Sequence, residues 1–451
     1  MTDGRRPHRT RLPDTVGSDH QKPTSRQGLA NKAKTDKQHR FRDLYGCRDA
    51  DRFLACWRDR NKQAASGVDG LTAHAYEANL QANITALVHR LKTKRYRAKL
   101  VRRCYLPKEN GTERPLGMPA LEDKLVQLAC AKLLMAIYEQ DFLACSYGYR
   151  PGRGALEAVR DLTFDLQYGT YGYLVEADVK GFFDQLDHTR LLTMRRERID
   201  DRAFLRLIRQ WLKAGILETD GHVVHPETGS PQGGSISPIL ANVYLPYALD
   251  VWFDTVVQAH CRGKARLCRY ADDWVCAFQY QDDAERFYRV FPLRLQQFNL
   301  QVAPDKTHLL RFRRFHPSMR RRCTFRGFEF AWMPDRQGGP RVKRRTARKK
   351  LHAACRRMTA WIKQHRHLPG RAFYRQLNIR LRGHYTYYGL HGNSRSLHRF
   401  FERALRSAFT WRNRRGGKRQ SFTWEQFTQG WDRRGRARPC ITEVKHRRVL
   451  A

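Results

Sequence analysis

This 451-residue sequence predicts an α+β core followed by a basic α-helical domain. Three observations carry that expectation. Hydrophobic spacing along residues 41–335 switches repeatedly between the helical period and the strand period. Short strands and helices alternate irregularly, as in an α+β core. Beyond Gly338-Gly339-Pro340 the chain turns helical, aromatic and strongly positive.

Residues 1–40 combine Arg, Lys, Asp, Thr and Pro with almost no apolar periodicity and read as a disordered basic leader. From Phe41, the residues Leu44, Phe53, Leu54 and Trp57 recur at helical spacing, and after the turn Ser66-Gly67-Val68-Asp69-Gly70 a second helical stretch runs from Tyr76 to Leu91. Together 41–104 form a helical extension. Residues 100–107 and 113–118 read as the strands of a hairpin turning at Lys108-Glu109-Asn110-Gly111-Thr112. A mostly apolar helix follows over 121–140, then a strand over 172–178 that ends on an acid. Ile236, Ile239, Leu240, Val243, Tyr247 and Val251 mark one helical stripe, and 266–278 reads as a hairpin. The expected divisions are 1–40, 41–104, 105–335, 336–430 and a basic tail, 431–451.

The net charge of +44 points to a polyanionic partner, nucleic acid first. It is unevenly spread. Residues 311–451 hold 39 Lys and Arg against 6 Asp and Glu, so the last third of the chain carries three quarters of the excess. The eleven cysteines are scattered without a C-x-x-C pair or zinc spacing, which suits reduced thiols. No run approaches the roughly 18 apolar residues of a membrane span. A cytoplasmic protein, associated with the nucleoid when it acts on DNA, is the expectation.

The chemistry gathers at Arg269-Tyr270-Ala271-Asp272-Asp273-Trp274, a tight turn between apolar strand-like runs. Adjacent carboxylates disfavour joint ionisation unless a cation lies between them. A pair of divalent ions, as in phosphoryl and nucleotidyl transfer, explains such a pair economically. Taken alone, the pair is equally readable as a solvated hairpin turn, where Asp is common. Asp178 ends the apolar run Val175–Asp178 and offers a third carboxylate; nearby Asp184 and Asp187 suit a turn or a helix cap.

Ten short segments in order over residues 41–330 closely resemble a reverse transcriptase of the bacterial group II intron type. They are Asn61-Lys62, Ser66-Gly67-Val68-Asp69-Gly70, Tyr105-Leu106-Pro107-Lys108, Arg114-Pro115-Leu116-Gly117-Met118-Pro119, Ser146-Tyr147-Gly148-Tyr149-Arg150-Pro151-Gly152-Arg153, the Asp178 segment, Pro231-Gln232-Gly233-Gly234-Ser235-Ile236-Ser237-Pro238, Tyr270-Ala271-Asp272-Asp273, Pro304-Asp305-Lys306-Thr307 and Phe325-Arg326-Gly327-Phe328. Met118 and Glu157 depart from the family's pattern, outside the catalytic set.

The resemblance implies a right-hand polymerase: fingers, a palm with an antiparallel sheet, and a helical thumb or maturase domain. It implies that Asp178 and Asp272 bind two Mg²⁺ ions, with Asp273 more peripheral and the Val179 carbonyl completing one shell. Lys108, Arg114, Gln232, Gly233 and Lys306 would meet the deoxynucleoside triphosphate, and Phe183 would exclude a ribose 2′-hydroxyl. Ordinary readings stand beside these: hairpin-edge charge for Lys108 and Arg114, a core aromatic for Phe182 or Phe183, an exposed lysine for Lys306.

In the basic third, Arg344, Arg345, Arg348, Lys349, Lys350, Arg382, Arg412, Arg414 and Arg415 are candidates for phosphate contacts, with aromatic side chains to stack on unpaired bases. At least two of Tyr385, Tyr387 and Tyr388 suit a helical core. The implied partners are the intron RNA, an RNA template with a DNA primer, target DNA and deoxynucleoside triphosphates. No paired-cysteine module precedes Ala451, so the C-terminal endonuclease domain of some family members, and second-strand cleavage, are expected to be absent. The alternatives are a related enzyme recruited to phage defence, spacer acquisition or repair, and a non-catalytic RNA chaperone. The three retained aspartates argue against the last.

Overall fold

Side-chain caps fix where many of the helices begin. Ser25, Asp49, Thr72, Asp187 and Asp201 each accept a backbone N–H in the first turn of the helix they precede, and Thr423 with Gln426 forms a reciprocal capping box. A computed structural model describes residues 25–47, 49–107, 111, 113–314, 321–335, 337–414 and 421–444.

In chain order the elements are α1 (Arg26–Thr35), α2 (Ala50–Asp59), α3 (Ala73–Glu77), α4 (Leu80–Lys92), β1 (Val101–Pro107), β2 (Glu113–Met118), α5 (Leu121–Tyr138), α6 (Ala155–Tyr168), β3 (Tyr173–Asp178), α7 (His188–Arg196), α8 (Arg202–Leu212), β4 (Ile216–Leu217), β5 (Val223–Val224) and α9 (Ser237–Leu245). Then come α10 (Gln258–His260), β6 (Ala265–Tyr270), β7 (Asp273–Phe278), α11 (Gln281–Gln296), β8 (His308–Arg311), β9 (Cys323–Phe325), β10 (Phe328–Pro334), β11 (Pro340–Thr346), α12 (Arg348–Gln364), α13 (Gly370–Tyr388), α14 (Ser394–Asn413) and α15 (Trp424–Asp432). Between α9 and α10 the helix winds in π turns at Pro246–Asp250 and Phe253–Val257. The first begins on a proline, which cannot donate the usual helical hydrogen bond.

The chain divides into two units. One takes the described residues of 1–108, 113–143 and 181–247, with a sheet ordered β2-β1-β4-β5. The other takes those of 109–112, 144–180 and 248–451, with two sheets ordered β6-β7-β3-β8 and β11-β10-β9. In the second unit, Leu162 and Leu166 of α6, Leu174, Val275 and Ala277 of the four-stranded sheet and Phe328 and Phe330 of β10 share one core. A separate helical core joins Met358 and Ile362, Phe373, Leu377 and Leu381, Leu397 and Phe400, and Phe427 and Trp431. Among the described residues, no helix is long and apolar enough to cross a membrane.

The hairpin at 101–118, the apolar helix after it, and the strands ending at Asp178 and flanking Asp272 form as expected. Other boundaries need correction. The units interleave along the chain, so 41–104 and 105–335 are not separate bodies. The leader is not disordered throughout: residues 26–35 are helical, with Leu29 and Ala33 buried, because one apolar pair at i, i+4 under an N-cap suffices when a neighbouring helix covers it. Residues 1–24 lie outside the described residues.

A boundary at 336 cuts the β10–β11 hairpin, in which Pro334 pairs with Pro340. The basic run is a strand before it is a helix: Val342, Arg344 and Thr346 alternate inward, a period of two that the charge conceals. A tail at 431 is equally misplaced. Trp431 is fully buried in α15, and Asn378 of α13 binds both Gly435 and Ala437.

Candidate active site

The site is built on two antiparallel strands. β3 pairs with β7 so that Asp178 lies directly opposite Asp273. β6 pairs with β7 so that Tyr270 also faces Asp273, leaving Ala271 and Asp272 as a two-residue loop. Such a loop requires a positive φ, normally taken by glycine. Here Ala271 adopts it, with φ 56°.

Behind the loop runs the segment 145–150. Tyr147 donates its N–H to the Arg269 carbonyl at 2.9 Å, and Arg269 donates to that of Cys145 at 2.8 Å. Gly148 presses on the loop itself: a Cβ there would lie 2.4 Å from the Ala271 nitrogen. Arg150 and Arg153 turn back to donate to the carbonyls of Ser146 and Ala144.

Beyond Asp178 the chain bonds to 301–303: Ala303 donates to the Asp178 carbonyl and Lys180 to that of Gln301, each at 2.8 Å. Val179 therefore bridges Val302 while its own carbonyl is directed to the other edge, the β7 side. The following turn, Pro304–Lys306, delivers the Lys306 ammonium to Asp178 Oδ2. That contact raises the pKa of Lys306.

Asp273 lies 3.9 Å from the guanidinium of Arg326, which covers the Tyr270 ring at 4.0 Å. Its side chain retains 32 % exposure, yet desolvation by the protein around it pushes its pKa up to about 7, with Asp178 and Asp272 adding to the rise and Arg326 opposing it. Among the described residues, no three His, Cys, Asp or Glu side chains are gathered closely enough to hold an ion as they stand. The donor chemistry nevertheless suits a divalent cation. One carboxylate is already compensated by an ammonium, and another is desolvated beside two acids, so its ionised form gains from added positive charge.

The other unit brings together a second group of expected residues. Arg114 Nε donates to Gln232 Oε1 at 2.7 Å, and Gly117 donates to the Gln232 carbonyl at 2.7 Å. Gly233 has φ 119°, and a Cβ there would lie 2.5 Å from the Gly117 carbonyl oxygen. Phe183 is buried, edge-on to Phe182, and its carbonyl accepts from Ser230. Asp187 caps α7, the structural role open to it. Lys108 lies outside the described residues.

Of the basic candidates, Arg345, Arg348, Lys349, Lys350, Arg382 and Arg414 lie at or near the surface, and Arg415 lies outside the described residues. Two are corrected. Arg344 is buried and bound through both nitrogens to Glu443, at 2.9 and 2.8 Å. Arg412 is buried and donates to the carbonyls of Arg366 and Leu368. Each supports the fold from within, where no RNA phosphate reaches. Sequence reasoning passed over Arg269, Gly148 and Arg326. The signal for Arg269 was present: an arginine in an otherwise buried strand needs a partner.

A mixed α and β chain whose antiparallel sheet sets one carboxylate opposite an acid pair has the polymerase fold. Residues 106–330, about half of the chain, match the family described as "Reverse transcriptase (RNA-dependent DNA polymerase)". The chain is 34% identical over 239 residues to Protein YkfC of Escherichia coli K12, covering 46% of this chain and 62% of that protein. It is 34% identical over 197 residues to the group II intron-encoded protein LtrA of Lactococcus lactis, covering 43% of this chain and 32% of that protein. Nuclear intron maturase 4 of Arabidopsis thaliana is 25% identical over 134 residues, 30% of this chain and 16% of that protein. The chain thus matches less than two thirds of the length of these relatives.

Proposed function

We propose that this protein is the RNA-directed DNA polymerase of a mobile group II intron, and that it also binds the intron RNA as a maturase to assist splicing and retrohoming. The observation that carries the polymerase reading is the register that sets Asp178 against Asp273 with Asp272 in the adjoining loop. Names such as group II intron-encoded protein and intron maturase among the relatives favour it over a recruited defence or repair enzyme.

In this reading Asp178 and Asp272 hold two Mg²⁺ ions, Asp273 is the outer ligand, and the Val179 carbonyl joins one shell. Bound Mg²⁺ supplies activation of a primer 3′-hydroxyl and charge neutralisation on the triphosphate. Asp178, which the Lys306 ammonium now meets, would hold the metal in its place, and Lys306 would be left to bind a phosphate oxygen. Gln232 holds the Arg114 guanidinium, limiting its freedom before it meets the triphosphate. Phe183 excludes a ribose 2′-hydroxyl. Lys108 completes the nucleotide clamp.

The basic last third serves as thumb and RNA-binding surface through Arg345, Arg348, Lys349, Lys350, Arg382, Arg414 and Arg415. Arg345 has Arg322, Arg395 and Arg399 as like-charged neighbours, a crowding that polyanionic RNA relieves. The intron RNA, a primed RNA template, target DNA and deoxynucleotides are the partners, met in the cytosol and on the nucleoid.

Asp272→Ala should abolish DNA synthesis on a primed RNA template while RNA affinity stays within about twofold. Persisting synthesis would overturn the assignment. For the maturase role, wild type should raise the splicing rate of its flanking intron RNA at low Mg²⁺; no acceleration would remove it.

A further inference from the structure

The side chain of Arg269 is sealed inside the second unit, with no solvent exposure, and so is that of its partner Asp250. Nε donates to Asp250 Oδ1 at 2.6 Å and Nη2 to Oδ2 at 2.5 Å. Nη2 also donates to Ser146 Oγ at 2.7 Å. Nη1 donates to the carbonyl of Ala271 at 3.1 Å. Asp250 is presented by the π turn Pro246–Asp250, a helical irregularity that often marks a functional position.

A buried ion pair is a weak source of stability, because desolvating both charges offsets their attraction. Its better-attested role is to fix one arrangement among several. Here the arrangement is specific. The guanidinium grips the carbonyl of Ala271, which holds a left-handed conformation that an alanine disfavours, and the next residue is Asp272. Ser146 ties the same guanidinium to the strand-like segment whose Gly148 closes over Ala271.

We propose that Arg269, locked by Asp250 and Ser146, is a positioning residue that holds the Ala271–Asp272 loop in the geometry that binds the divalent ion. The inference rests on the reading of Asp272 as a metal ligand. Arg269 touches neither nucleotide nor primer in this scheme; it acts through the loop.

The test is direct titration of the full-length protein with Mn²⁺, followed by electron paramagnetic resonance without nucleic acid or nucleotide. Ser146→Ala and Asp250→Asn should each weaken Mn²⁺ binding about tenfold. Both should lower kcat and leave KM for primer-template unchanged. Arg269→Lys, which keeps the charge but loses the fork, should weaken Mn²⁺ binding as much as Asp250→Asn. If Asp250→Asn or Arg269→Lys fails to fold by circular dichroism, Ser146→Ala, which removes one hydrogen bond only, decides alone. Wild-type Mn²⁺ affinity in folded Ser146→Ala would overturn the proposal. Asp272→Ala separates the two levels: if it binds Mn²⁺ as wild type does, the metal-ligand reading fails, whatever Arg269 does.

Discussion

Gly148 lies so close to Ala271 that a methyl group added to it would come within 2.4 Å of the Ala271 nitrogen and 3.1 Å of its Cα. The neighbour is backbone, which cannot rotate aside. Gly148→Ala must therefore shift the loop that carries Asp272. We expect single-nucleotide extension to slow at least tenfold and stability to fall by about 1–3 kcal/mol, typical of overpacking. Extension at the wild-type rate would mean that the loop tolerates displacement.

Lys306 is 68 % exposed although its ammonium meets Asp178. An ion pair so open to water contributes little to folding. Lys306→Ala should leave the melting temperature within about 2 °C, while KM for deoxynucleotides rises several-fold. An unchanged KM would remove Lys306 from the nucleotide site.

Of two basic residues in one run, only one should set the salt dependence of RNA binding. Lys349 is exposed at the start of α12, whereas Arg344 is buried against Glu443. Lys349→Ala should reduce the slope of log affinity for RNA against log salt by about 0.7–0.9. Arg344→Gln should leave that slope unchanged and cost about 3 kcal/mol of stability, since buried Glu443 loses its two-pronged partner and keeps only Arg160 and the His391 N–H. Filter binding between 50 and 200 mM salt, paired with urea melts, reads both.

Asp123 of α5 is buried, and it accepts from the Tyr96 hydroxyl and the Lys99 N–H. Burial pushes its pKa up to about 6. The folded state then holds a proton that the unfolded chain has lost, so this carboxyl's contribution to stability falls as pH rises from about 4 to about 6 and is level above. Asp123→Asn should remove that fall, worth up to about 3 kcal/mol. Urea midpoints of both proteins at pH 4 and pH 7 provide the difference; parallel profiles would contradict it.

The strands around the acids were readable because they are short, nearly continuous apolar runs: Tyr173, Leu174, Val175 and Ala177 before Asp178, and Trp274 to Phe278 after Asp273, are all buried. The alternation at Val342, Arg344 and Thr346 was hidden because one inward position is an arginine, whose partner Glu443 is 99 residues away. Long-range pairing of that kind leaves no local trace. For Arg269 the need of a partner was legible, but not that Asp250, 19 residues earlier, supplies it. The helix 26–35 went unseen for another reason: its two buried side chains, Leu29 and Ala33, are too few to register as a period among so many charges.

The pairing of Arg344 with Glu443 also has a history in time. During synthesis the arginine emerges 99 residues ahead of its counter-charge. At about 5–20 residues per second, it waits roughly 5–20 s. Throughout that interval the β11 strand can bury its inward face only by stranding a cation. Closing the inward face of β11 around Arg344 therefore waits on the segment that carries Glu443.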